Sequence, residues 1–157
     1  MWIKGENKIL TDVSVSDLVR NTILIPDTVK EISSFAFDQV SDRLKTIVFP
    51  ENVEKLNEGV FENYPNLCGC IFKNPDCILG KEIFADCKAL KRVALPKHLR
   101  RIPDACFENC VNLTEIDIPY TVETLAIYSF YGCRNLREIR WKGHVYTYED
   151  LVEYMRF

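Results

Sequence analysis

Glycine is scarce in this chain of 157 residues, which has six. Gly-rich phosphate cradles and the G-x-S-x-G nucleophile turn are absent. Histidine is scarcer: only His98 and His144, neither in an H-E-x-x-H or other metal spacing. The carboxylates form no pair set apart as acid and base, so neither an enzyme nor a cofactor is expected. No apolar run approaches the ~20 residues of a membrane-spanning helix. The 20 basic and 23 acidic residues, net charge −3, exclude a strongly basic nucleic-acid binder. A hydrophobic content of 47% excludes a disordered chain and fits one globular domain. The start, Met1-Trp2-Ile3-Lys4-Gly5-Glu6, lacks the apolar core of a secretory signal, and Tyr154-Met155-Arg156-Phe157 is no lipidation motif. A cytoplasmic location is therefore expected, or an extracellular one if a leading segment was removed.

What is present is a repeat. Phe61, Phe84, Phe107 and Phe130 stand 23 residues apart, and Phe37 precedes Phe61 by 24, one residue being inserted near Val40-Ser41-Asp42-Arg43. Leu44, Leu67, Leu90, Leu113 and Leu136 keep the same step, and Pro26, Pro50, Pro96 and Pro119 nearly do, with Lys73 and Lys142 in the remaining slots. Three more columns agree: Val29, Val53, Leu99, Val122, Val145; Ile32, Leu56, Leu79, Ile102, Leu125; and the residue before Phe, Ala36, Val60, Ile83, Cys106, Ser129. Alternation at period 2 turns Ile116 and Ile118 inward on one strand, and proline then ends it. Ile102-Pro103-Asp104-Ala105-Cys106-Phe107 suits a short helical turn. One unit cannot bury its apolar face alone, so about five units must stack.

The unit Leu113-x-x-Ile116-x-Ile118-Pro119-x-x-Val122-x-x-Leu125-x-x-x-x-Phe130-x-x-Cys133 closely resembles the BspA-type leucine-rich repeat. The resemblance spans about Ile23 to Trp141. It implies an α/β repeat fold, a right-handed leucine-rich-repeat solenoid with one parallel strand and a short helical turn per repeat. It also implies an interaction or surface-recognition module, often secreted, with no shared catalytic residues. The third turn departs from the pattern, with Lys73 for Pro and Asp76 for the apolar residue, and is expected to be irregular.

Residues 1–20, before the repeats of 21–142, and residues 143–157 after them are expected to cap the open ends. Trp2-Ile3-Lys4 and Lys8-Ile9-Leu10 could form a hairpin, and Ser16-Asp17-Leu18-Val19 could start a short helix. Thr147 can cap a helix over Tyr148–Met155 with Tyr148, Leu151, Val152 and Met155 on one face. A dimerisation surface is the alternative for these ends.

Seven cysteines stand in this frame. Cys87, Cys110 and Cys133 share the column of Val40 and Tyr64. Cys70 is in the inward strand column and Cys106 in the column before Phe. These five occupy places for a small, weakly polar hydrophobe. Cys68 and Cys77 fall in columns of charged residues: Lys45 and Lys91 for the first, Glu54 and Arg100 for the second. Cys68, Cys70, Cys77 and Cys87 lack a zinc site's paired spacing, so no metal is expected. A Cys68–Cys77 bridge remains the lesser alternative to seven free thiols. Asn112-Leu113-Thr114 matches a glycosylation sequon, read here as chance because Leu113 is a core position.

Function on a solenoid usually lies on the outward strand positions, which build a concave surface. One outward column runs Leu24, Val48, Ile71, Ala94, Asp117, Arg140; the other runs Thr22, Thr46, Gly69, Arg92, Glu115, Glu138. The first is apolar over four turns and then charged. Leu24, Thr46, Val48, Gly69, Ile71, Arg92, Ala94, Glu115, Asp117, Glu138 and Arg140 are the candidate binding residues for another protein. Charge comes in bands, with six basic residues between Lys88 and Arg101 and five acidic ones between Ile102 and Cys133. Register turns those bands into expected cross-turn pairs, Arg92 with Glu115, Arg100 with Glu123 and Asp117 with Arg140, rather than a nucleic-acid patch. The expected protein is thus a non-enzymatic protein-binding module, monomer or homodimer. Cell-surface adhesion or glycan binding, and a small inhibitor of a macromolecular partner, are the alternatives.

Overall fold

A computed structural model describes residues 1–6 and 8–154. In chain order the strands are β1 Trp2–Lys4, β2 Ile9–Asp12, β3 Leu18–Val19, β4 Thr22–Ile23, β5 Glu31–Ile32, β6 Thr46–Phe49, β7 Lys55–Leu56 and β8 Gly69–Phe72. They continue with β9 Ile78–Leu79, β10 Arg92–Ala94, β11 Arg101–Ile102, β12 Glu115–Asp117, β13 Thr124–Leu125, β14 Glu138–Trp141 and β15 His144–Tyr146, followed by helix α1, Tyr148–Tyr154.

The chain is a solenoid of about six turns, one more than the phenylalanine count suggests. It enters on the strand side before the first Phe and leaves by that side after the last. Ile23, Ile47, Cys70, Val93, Ile116 and Ile139 form one buried inward file. Parallel ladders join Ile47 to Cys70, Cys70 to Val93 and Ile116 to Ile139, and Leu24 bridges Val48. A second side carries a further short strand per turn, which the one-strand unit did not anticipate. There β2, β5, β7 and β9 run parallel, and β11 pairs with β13.

The third side differs from a helical turn. Asp38–Val40 is a 3-10 turn. In later turns the residues two before and two after Phe take left-handed φ: Glu82 at 56°, Ala105 at 48° and Tyr128 at 60°, then Asn63 at 59°, Asp86 at 57° and Asn109 at 56°. Alternating hands cancel helical winding and point alternate N–H groups at the next turn. Phe61 N donates to Ile83 O at 3.0 Å, Phe84 N to Cys106 O at 2.9 Å and Phe107 N to Ser129 O at 2.9 Å.

Inside, Phe37, Phe61, Phe84, Phe107 and Phe130 stack with ring centroids 5.3–5.7 Å apart. The thiols of Cys87, Cys110 and Cys133 donate to the carbonyls of Phe61, Phe84 and Phe107 at 2.9, 3.1 and 2.9 Å. All seven cysteines are free, so no Cys68–Cys77 bridge forms. Asn66, Asn112 and Asn135 repeat a similar device, each amide donating to the previous turn's backbone at 2.6–2.7 Å. The sequon asparagine is thus already engaged in the ladder.

The third turn is irregular as expected, and it corrects the reading of Cys77. Elsewhere the corner closes with Val53 N on Pro50 O and Val122 N on Pro119 O; here Cys77 N donates to Asn74 O. The corner starts one residue later, so Asp76 points out and Cys77 takes the buried valine place.

At the N-terminus β1 and β2 form the expected hairpin. The expected short helix is a 3-10 turn, Val15–Asp17, and Leu18–Val19 instead pair antiparallel with β4. At the other end Lys142 and Gly143, at φ 51° and 80°, turn β15 back against β14. Val145 is therefore exposed rather than in the column of Val29, Val53, Leu99 and Val122, which corrects its assignment there. Thr147 and Asp150 cap α1 through Thr147 N to Asp150 Oδ2 at 2.7 Å and Asp150 N to Thr147 Oγ1 at 3.3 Å. Leu151 is buried, Tyr148 and Val152 are partly buried, and Met155 lies outside the described residues.

Candidate interaction groove

The outward residues of β6, β8, β10, β12 and β14 meet along one groove of about 1110 Å³. Thr46, Val48, Gly69, Ile71, Arg92, Ala94, Glu115, Asp117 and Arg140 line it; Leu24 and Glu138 lie beyond its lining. The apolar file is open to solvent, with Leu24 84%, Val48 38% and Ile71 48% exposed. The N-terminal segment does not fold over it. A side chain at Gly69 would have room, since an added Cβ comes no closer than 3.7 Å to Thr46 Cγ2. Glycine there keeps the floor low between Thr46 and Arg92.

The charged end is organised by one guanidinium. Arg140 engages Asp117 through Nε, Glu138 Oε2 at 2.6 Å and Glu115 Oε2 at 3.3 Å. Hydrogen bonds to Asp117 and then Glu115 hold its pKa above the ordinary arginine value. The expected Asp117–Arg140 and Arg100–Glu123 pairs both form, the latter at 3.3 Å. The expected Arg92–Glu115 pair does not. β10 ladders only to β8 and β12 only to β14, so the sheet is interrupted between them and Glu115 turns to Arg140. Among the described residues Arg92 has no ion-pair partner.

Lys91, Lys97 and Tyr120 also line the groove, and Tyr120 is 80% exposed. The outward columns did not reveal them, because they flank the strands. Extending each column past the strand ends would have found them.

A second interruption separates β9 from β11. Gly80 N and Ala126 N each donate to the turn before, but Pro103 stands in their slot and has no N–H. A smaller cavity of about 540 Å³ opens there, lined in part by Cys77, Leu79, Arg101 and Asp104, and Asp104 Oδ1 is buried without a hydrogen-bond partner.

The described residues do not bring nucleophilic chemistry together. Burial pushes the Cys77 and Cys87 thiols up to about 12 and those of Cys70 and Cys106 above their ordinary value. Such thiols stay protonated and unreactive at neutral pH. No three His, Cys, Asp or Glu side chains among the described residues are placed to hold a metal ion. No helix among them is long and apolar enough to cross a membrane.

Comparison with known proteins places this geometry. The family model described as the BspA type leucine rich repeat region matches residues 16–137 in six copies. Among curated proteins none matches the sequence. Several solved structures share the fold. A leucine-rich repeat protein from Eubacterium ventriosum is 25% identical with a TM-score of 0.74, over 86% of this chain and 36% of that one. The T. pallidum leucine rich repeat protein is 24% identical with a TM-score of 0.65, over 86% of this chain and 59% of the other. A leucine rich cell surface protein from Faecalibacterium prausnitzii is 18% identical with a TM-score of 0.58, over 74% and 46%. The chain thus spans between about a third and three-fifths of the length of these three structures.

Proposed function

The chain belongs to the BspA-type leucine-rich repeat family, and on that premise we propose that it recognises another protein, without catalysis, through the outer face of its first strand side. The observation that carries this reading is the open apolar file of Val48, Ile71 and Ala94 along a groove of about 1110 Å³. A contiguous exposed apolar strip rimmed by polar residues is the kind of surface on which a partner docks. The eleven residues from Leu24 to Arg140 in the two outward columns form the contact surface. The terminal hairpins and α1 act as caps of one domain, a monomer or homodimer. Seven free thiols fit a reducing compartment, the cytoplasm.

Affinity capture from the native source tests the docking reading. A partner that the wild type retains should be lost with Val48→Asp and with Ile71→Asp, each variant keeping its circular dichroism spectrum. Retention by both variants overturns it.

A further inference from the structure

Resting on the reading of that face as a protein-docking surface, we propose that the groove selects an extended segment of the partner in which apolar side chains are flanked by carboxylates. The groove's charge carries this. The whole chain is acidic, at net −3, yet the groove lining holds four cations, Lys91, Arg92, Lys97 and Arg140, against two carboxylates, Glu115 and Asp117. Those carboxylates are already bound by Arg140, whereas Lys91, Arg92 and Lys97 have no ion-pair partner among the described residues. A free guanidinium beside an apolar floor is a ready receptor for a carboxylate, which it can hold by two parallel hydrogen bonds.

The floor sets the other half of the chemistry. Val48, Ile71 and Ala94 lie on successive turns, so the strip is ~10 Å long at the ~4.8 Å strand spacing. That length accommodates about three residues of extended chain, with apolar side chains down and acidic neighbours reaching the cations. Exposed Tyr120 stands at the groove wall, a residue type enriched where binding energy concentrates. A polyanion such as nucleic acid would leave the apolar strip unused and would meet Glu115 and Asp117 in the same groove.

Fluorescein-labelled peptide pools in anisotropy titrations test the proposal. Each pool has Leu, Val or Phe at alternate positions, flanked by Asp and Glu, by Lys and Arg, or by Ser. The acidic pool should saturate. Its binding should weaken at least about tenfold with Arg92→Glu, and strongly in about 0.5 M salt, where charge is screened within ~5 Å. Val48→Asp should abolish it. Equal or better binding of the basic pool, an unchanged affinity in Arg92→Glu, or no binding of any pool each overturns the proposal. In the second case, loss through Val48→Asp alone leaves the docking face standing, so the two readings fail separately. Heparin binding that needs Arg92 but not Val48, with no saturation by the acidic pool, identifies a polyanion site and also overturns it.

Discussion

The cysteine column shows how much one small residue type can specify. A thiol there is short enough for the core and still donates to the backbone carbonyl of the preceding Phe. Cys110→Val keeps the bulk but removes one of two donors to the Phe84 carbonyl, which still accepts from Cys87 N, at a cost of about 0.5–1.5 kcal/mol. Cys106 makes no such bond and shares its column with Val60, so Cys106→Val should cost less than Cys110→Val. Urea melts of both variants under reducing conditions check the contrast; equal losses would sink the donor role. Accessibility makes a further statement. A maleimide should label Cys68 rapidly in the native protein, since it alone is not buried, and all seven thiols once denatured. Glu82 is a point of tension on the third side. Burial, then the charges of Glu58, Glu62, Glu108 and Asp104, raises its carboxyl pKa above 4.5. A carboxyl whose folded pKa is raised binds its proton more tightly in the native state, so stability falls as pH rises from the unfolded value through the folded one. Glu82→Gln removes that loss. The stability advantage of the variant should therefore grow with pH across that window and level off above it, as read by thermal melts.

At the level of the element, Gly80 shows why the second side is built as it is. A Cβ at Gly80 would sit 2.6 Å from Glu58 N and 2.7 Å from Asn57 C, backbone atoms that cannot step aside. Gly80→Ala should lower stability by about 1–3 kcal/mol, while Gly5→Ala, with open space around its Cβ, should cost only the strain of a left-handed alanine. Elements built from side-chain type were readable in the sequence: the inward file from Ile23 to Ile139, the phenylalanine stack, five core cysteines and the capped C-terminal helix. Elements that turn on backbone conformation were not. The sequence near Cys77 has the right length, and only the hydrogen bond to Asn74 shows that its corner starts late. Glu82 and Tyr128 do not announce left-handed φ, although Asn63, Asp86 and Asn109 belong to types that tolerate it. The groove was legible as columns, although Leu24, the first of the apolar column, lies beyond its lining. The freedom of Arg92 was not, because whether adjacent turns ladder decides which carboxylate a guanidinium meets.

Across the whole molecule, the two strand sides are both interrupted midway, between β9 and β11 and between β10 and β12. In a stack where each turn touches only its neighbours, such breaks mark where coupling between turns is weakest. Three devices run through them without interruption. The rings of Phe84, Phe107 and Phe130 stack 5.4 and 5.3 Å apart, the thiols of Cys110 and Cys133 reach back one turn, and Phe84 N and Phe107 N reach forward one turn. The third side and the one strand ladder left at each step, β8 with β10 and then β11 with β13, therefore couple the two halves, and the intact protein should unfold in one transition. Phe107 is the ring of the turn that lies between the two breaks. Phe107→Ala removes about 3–5 kcal/mol of packing at a turn held to each neighbour by a single strand ladder, β8 with β10 and β11 with β13, and should weaken the coupling of the C-terminal turns to the rest. The two tryptophans make this measurable, since Trp141 is buried among the C-terminal turns with Nε1 on Val122 O at 3.0 Å, and Trp2 is exposed on β1. In a Trp2→Phe background, Trp141 fluorescence and far-ultraviolet circular dichroism should trace one urea curve for the parent. With Phe107→Ala added, the fluorescence midpoint should fall below that of the dichroism. Separate midpoints already in the parent would mean that the broken strand sides, not the phenylalanine stack, set the cooperative unit.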